Sequence, residues 1–140
     1  MLFFPFWYRN MASTGAGLTL EELTRIQREF AQQRGWEKFH SPRNLILALV
    51  GEVGELSECF QWLGDDGAKP GLPGLSEEKR AHIGDELSDV LCYLVRLADV
   101  CQVDLSAAVL SKIGKNAEKY PADKAYGSCA KYTAYRDDGT

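Results

Sequence analysis

Two carboxylate pairs, Glu52-x-x-Glu55 and Glu86-x-x-Asp89, stand in stretches with no cation to neutralise them. No Lys or Arg occurs from Asn44 to Ala68, nor from Ala81 to Val95, and the surrounding residues are largely apolar. On packed helices, desolvation and like-charge repulsion both oppose full ionisation of such a set. The carboxylates must protonate, reach water or hold a cation. Residues three apart on a helix are surface neighbours, so each pair projects together. Two antiparallel helices can turn both pairs into one site. One E-x-x-E is ordinarily a solvated acidic stripe, but two in basic-free apolar surroundings favour a metal centre. The Glu-x-x-His of di-iron bundles is missing, because the i+3 positions are Glu55 and Asp89. An all-oxygen donor set suits Mg²⁺, with Mn²⁺ as a substitute, over zinc or iron. Such a centre suits attack of a metal-activated water on a phosphoryl group. His82 shares the face of Glu86, while Glu58 and Asp85 read as solvated flanks.

Helices must carry these residues. Thr19-Leu20-Glu21-Glu22 is a capping box, and Leu20, Leu23, Ile26 and Phe30 recur at helical spacing, which predicts a first helix over 19–34 ended by Gly35. Ser41-Pro42 opens a second helix over 42–63. Its run Leu45–Val50 is apolar all round, so more than one side needs covering. Gly51 and Gly54 are costly inside a helix and suggest close backbone approach beside the carboxylates. GDDGAKPGLPGL (64–75) reads as a loop. Ser76 starts a third helix reaching Val100, and a fourth follows the break at Gln102–Asp104 and stops before Pro121. The expected architecture is all-α, a four-helix bundle. Residues 1–17 form an optional extension, with Met11 a possible start, 18–121 the helical catalytic domain and 122–140 an irregular tail.

With 140 residues and a net charge of −4, the chain fits one domain without general affinity for nucleic acid. No run approaches a membrane span, and Cys59, Cys92, Cys101 and Cys129 form no C-x-x-C pair. They read as small core residues in a reducing compartment, which points to the cytoplasm.

The stretches FHSPRNLILALVGEVGELSECFQW, GDELSDVLCYLVRLADVCQVDL and KYPADKAYGSCAKYT resemble the MazG-like all-α nucleoside triphosphate pyrophosphatases. The resemblance runs from Thr19 to Thr133, and E-x-x-E…E-x-x-D is that family's metal motif. It implies a Mg²⁺-dependent hydrolase that cuts a nucleoside triphosphate between the α and β phosphates, in a nucleotide-cleansing role. Its nearest subfamily favours dCTP and 5-substituted dCTP. It further implies a homo-oligomer, with a tetramer favoured, and metal ligands Glu52, Glu55, Glu86 and Asp89. Tryptophans in a small domain ordinarily fill its core. The resemblance instead assigns Trp36 through His40 (Lys38 included), Trp62 and Tyr93 to the nucleotide. Lys112, Asn116 and Tyr120, spaced i, i+4, i+8, would reach phosphate and sugar. The chain departs from the pattern at Gln27, where relatives carry a histidine; glutamine donates and accepts but does not titrate. An acidic interaction module, a redox bundle and a pyrophosphohydrolase of different base preference are the competing readings.

Overall fold

Thr19 starts the first helix as its capping box requires. In a computed structural model, which describes residues 17–135, the Thr19 hydroxyl accepts from the Glu22 N–H at 3.1 Å and the Glu22 carboxylate accepts from the Thr19 N–H at 3.0 Å. Apart from Gly17, the extension expected at the N-terminus lies outside the described residues. Helix α1 (Leu20–Gln33) closes in a Schellman motif. The Trp36 N–H donates to Ala31 O at 2.9 Å and the Gly35 N–H to Gln32 O at 3.0 Å, with Gly35 at φ +61°. A side chain at Gly35 would strain that turn, so the glycine sets where Trp36 stands.

A 3-10 turn (Glu37–Phe39) leads to α2 (Pro42–Gln61), which Ser41 caps by accepting from the Asn44 N–H at 3.2 Å. The stretch expected as loop holds one short helix, α3 (Gly64–Gly67), because Asp65 and Asp66 suit the first turn of a helix. Helix α4 (Glu77–Val100) starts at the Ser76 cap, and Gln102 at φ +56° turns the chain out of it. Asp104 caps α5 (Leu105–Lys119), accepting from the Ala107 N–H at 2.9 Å. The segment expected to be irregular contains α6 (Ala122–Ala125) and a 3-10 turn (Tyr132–Tyr135). Among the described residues every regular element is helical, and no helix is long and apolar enough to cross a membrane.

The chain divides into two compact units after Gln102. In the first, α2 packs along α4, and α1 lies against α4. Its core is small: Leu23, Ile26 and Ala31 from α1, Leu45 from α2, and Ile83 and Val95 from α4. Helix α2 buries only Leu45, so Ile46, Leu47, Val50 and Val53 stay exposed, as do Leu87, Leu91 and Leu94 on α4. In the second unit, the Tyr120 ring meets those of Tyr132 and Tyr135 edge-on at 6.4 and 6.0 Å.

Two expectations need correction. A Cβ added at Gly51 or Gly54 meets nothing within 4 Å, so among the described residues no other element's backbone approaches them closely. All four thiols are free, but only Cys59 and Cys92 are half-buried; Cys101 and Cys129 are exposed, since one caps a helix end and the other follows a turn.

Candidate metal centre and adjoining cavity

Where α2 crosses α4, Glu52, Glu86 and Asp89 each bring one oxygen to within 4.8 Å of the others. Glu86 is buried at 8% exposure. Its Oε1 lies 3.4 Å from His82 Nδ1, while its Oε2 has no hydrogen-bond partner. A buried carboxylate oxygen without a donor is costly, and a bound divalent cation would relieve it. The donor set fits a hard cation. Glu55 stands outside this cluster and is exposed. Its charge still reaches Glu52. Burial holds the Glu52 carboxyl above the usual carboxylate range, and Asp89, Glu55 and Glu86 push it the same way.

That shift has a definite sign in stability. A carboxyl whose pKa is raised by folding binds more protons in the folded chain. Its stabilising contribution is therefore present at low pH and lost as pH rises from the ordinary value of 4.5 through the folded one. Metal-free protein is expected to gain stability from Glu52 on acidification across that window, and Glu52→Gln should remove this component. Thermal melts in chelator against pH measure it; identical slopes in both proteins would contradict it.

Beside the carboxylates, a cavity of about 250 Å³ gathers Gln27, Trp36, His40 and Tyr93 with Asp89. Four predicted nucleotide residues thus meet one predicted metal ligand. Tyr93 follows Asp89 by one helical turn, and its phenol is pushed up by burial and by Glu52 and Asp89. Trp36 is half-exposed at 43% and meets Phe30 edge-on at 5.7 Å. Burial and Asp89 raise the pKa of the Cys92 thiol against the opposing influence of Gln27.

Sequence reasoning missed part of this cavity. Phe30, Leu45, Cys92 and Arg96 also line it, and Arg96 is buried at 6% exposure. The signal was present: Arg96 lies three residues after Tyr93 and seven after Asp89, on the same face of α4.

Other predicted residues stand elsewhere. Trp62, 84% exposed at the end of α2, lines a second recess with Glu55, Glu58, His82 and Glu86. Glu86 and Asp89, one turn apart, thus border the two cavities separately. Lys38 sits on the 3-10 turn with its ammonium 4.9 Å from the Phe39 ring centroid. In the second unit Lys112 and Asn116 are exposed on α5, and Tyr120 is exposed at its end.

Helices α2 and α4 thus bring Glu52, Glu86 and Asp89 together in a chain whose described elements are helical. The model of the MazG-like family matches residues 48–134, and this chain belongs to that family. It is 57% identical over 115 residues to dCTP pyrophosphatase 1 of Homo sapiens, a match spanning 82% of this chain and 66% of the human protein. The protein of the same name from Rattus norvegicus is 55% identical over the same share. The chain therefore spans just under two thirds of the length of these curated relatives. Among solved structures, a pyrophosphatase from Archaeoglobus fulgidus superimposes with a TM-score of 0.65 at 39% identity, covering 76% of this chain and 95% of that one.

Proposed function

We propose that the protein hydrolyses a deoxynucleoside triphosphate, dCTP or 5-modified dCTP above others, to the monophosphate and pyrophosphate. The observation that carries this is the cluster of Glu52, Glu86 and Asp89, with an unpartnered buried oxygen on Glu86, beside an aromatic cavity that shares Asp89. The names of the relatives support the substrate class. Glu52, Glu86 and Asp89 would hold Mg²⁺, with Mn²⁺ as a substitute, and Glu55 would serve as the fourth carboxylate of the site. A bound Mg²⁺ supplies charge neutralisation at the phosphates and an acidified water. In the overall reaction a water oxygen attacks the α phosphorus. The bond from that phosphorus to the bridging oxygen breaks, pyrophosphate leaves, and the proton goes to solvent.

The residues of the chain do the binding. Trp36 and Tyr93 offer faces and edges to a base, and His40 and Gln27 offer hydrogen-bonding groups to its rim. Lys112, Asn116 and Tyr120 supply phosphate and sugar contacts. The protein works in the cytoplasm as a nucleotide-pool cleanser, and the exposed apolar rows on α2 and α4 support assembly into a homo-oligomer, a tetramer by preference.

A panel of deoxy- and ribonucleoside triphosphates, assayed separately for pyrophosphate and orthophosphate, tests the reading. Pyrophosphate should appear first and dCTP should lead. Orthophosphate as first product, or dATP turned over faster than dCTP, would overturn it.

A further inference from the structure

Behind the cavity wall runs a chain of charged groups that the reaction does not use. Arg28 on α1 and Arg96 on α4 both hold the Asp99 carboxylate: Arg28 Nη2 meets Oδ1, and Arg96 Nη1 donates to Oδ2 at 2.6 Å. One carboxylate between two guanidiniums leaves the trio an excess positive charge, and Arg96 is its buried arginine. The free edge of Arg96 is spent on the cavity wall, where its Nε donates to His40 Nδ1 at 3.2 Å.

A guanidinium has donors only and keeps its charge in proteins. The ring nitrogen that receives it must therefore present a lone pair. His40 Nδ1 is then unprotonated, and the neutral ring carries its one proton on Nε2. Burial and the Arg96 charge both lower the His40 pKa, so the ring resists a second proton.

We infer that Arg96 is a positioning residue that locks His40 as a neutral Nε2–H donor, and so makes His40 favour a base whose N3 position is an acceptor. This rests on the nucleotide reading above and deepens it. Cytosine presents unprotonated N3 and O2, whereas thymine and uracil carry a proton on N3. A ring free to change tautomer could accept from that N3–H, but a locked one cannot. All three pyrimidines offer O2 as an acceptor, so the lock discriminates where the Nε2–H meets the N3 position, which accepts in cytosine and donates in thymine and uracil. The Arg28–Asp99 pair fixes Arg96 from behind. The other ionisable groups around the ring are Asp89, Cys92 and Tyr93 across the cavity.

The chain has only His40 and His82, so ring ¹H–¹⁵N spectra of uniformly labelled protein assign directly, with His40→Gln identifying the signal. Wild-type His40 should show a single Nε2–H tautomer through neutral pH. In Arg96→Met, which keeps the length of the side chain and leaves Asp99 its Arg28 partner, both tautomers should appear and the ring should titrate closer to the ordinary histidine value of 6.5. The same variant should lose about tenfold of its preference for dCTP over dTTP, mostly through KM, consistent with one hydrogen bond. A proton on Nδ1 in the wild-type ring overturns the inference without any variant needing to fold. So does a folded Arg96→Met with unchanged tautomer and unchanged base preference. An equal loss for every base would make Arg96 a phosphate-side group and also overturn it. If no triphosphate is hydrolysed at all, the function fails while the tautomer measurement still stands or falls alone.

Discussion

Glu86→Gln is expected to lower turnover about a thousandfold, because loss of cation binding removes several kcal/mol of transition-state charge stabilisation. Its effect on stability should run the other way. Glu86 is buried with Oε2 unpartnered, and it adds to the repulsion that raises the Glu52 carboxyl. The amide keeps the shape and removes the charge. Metal-free Glu86→Gln should therefore melt at or above the wild-type temperature, yet gain nothing from added Mg²⁺, whereas wild type should gain. Glu52→Gln and Asp89→Asn should show the same opposed pair of effects, and Glu55→Gln should lose turnover with them. Turnover by pyrophosphate release and melts with and without Mg²⁺ measure both. Near-normal turnover in two of the four would remove the metal assignment. A loss of activity accompanied by a lower metal-free melting temperature would instead point to a damaged fold.

The carboxylate site was legible because its signal is local. Glu86-x-x-Asp89 lies within one helical turn, and helix periodicity fixes which neighbours share a face. Caps at Thr19, Ser41 and Ser76 were legible for the same reason, since each is decided by a side chain and a backbone amide two or three residues away. What spacing does not encode is tertiary. That Glu55 falls outside the oxygen cluster depends on how far along α2 the crossing with α4 lies, which no spacing encodes. The emptiness around Gly51 and Gly54 depends on what faces α2 in space. Arg96 was overlooked for a different reason. Its spacing to Asp89 and Tyr93 was available, but a lone arginine in an apolar helix gives no hint that its partner is a histidine 56 positions away.

Trp62→Ala is expected to raise KM for dCTP about tenfold to a hundredfold, with kcat little changed, matching the range for one base–aromatic stack. Trp36→Ala should do the same. The two indoles do not line one cavity within this chain: Trp36 shares the cavity with Asp89, and Trp62 shares the recess with Glu86. If a pyrimidine is gripped between both tryptophans, a second copy is expected to bring them together. The apolar row Ile46, Leu47, Val50 and Val53 on α2, the helix that ends at Trp62, gives that copy a surface. Leu47→Glu with Val50→Glu places charges on this row without touching any carboxylate of the site. Light scattering should then report a smaller assembly than wild type, and KM should rise as it does for Trp62→Ala although both tryptophans remain. Combining the three substitutions should add little further, because the second copy and its stacking are lost together. A dissociated Leu47→Glu, Val50→Glu protein with wild-type KM would mean that one chain suffices for the base. An unchanged KM in Trp62→Ala would remove that tryptophan from the site.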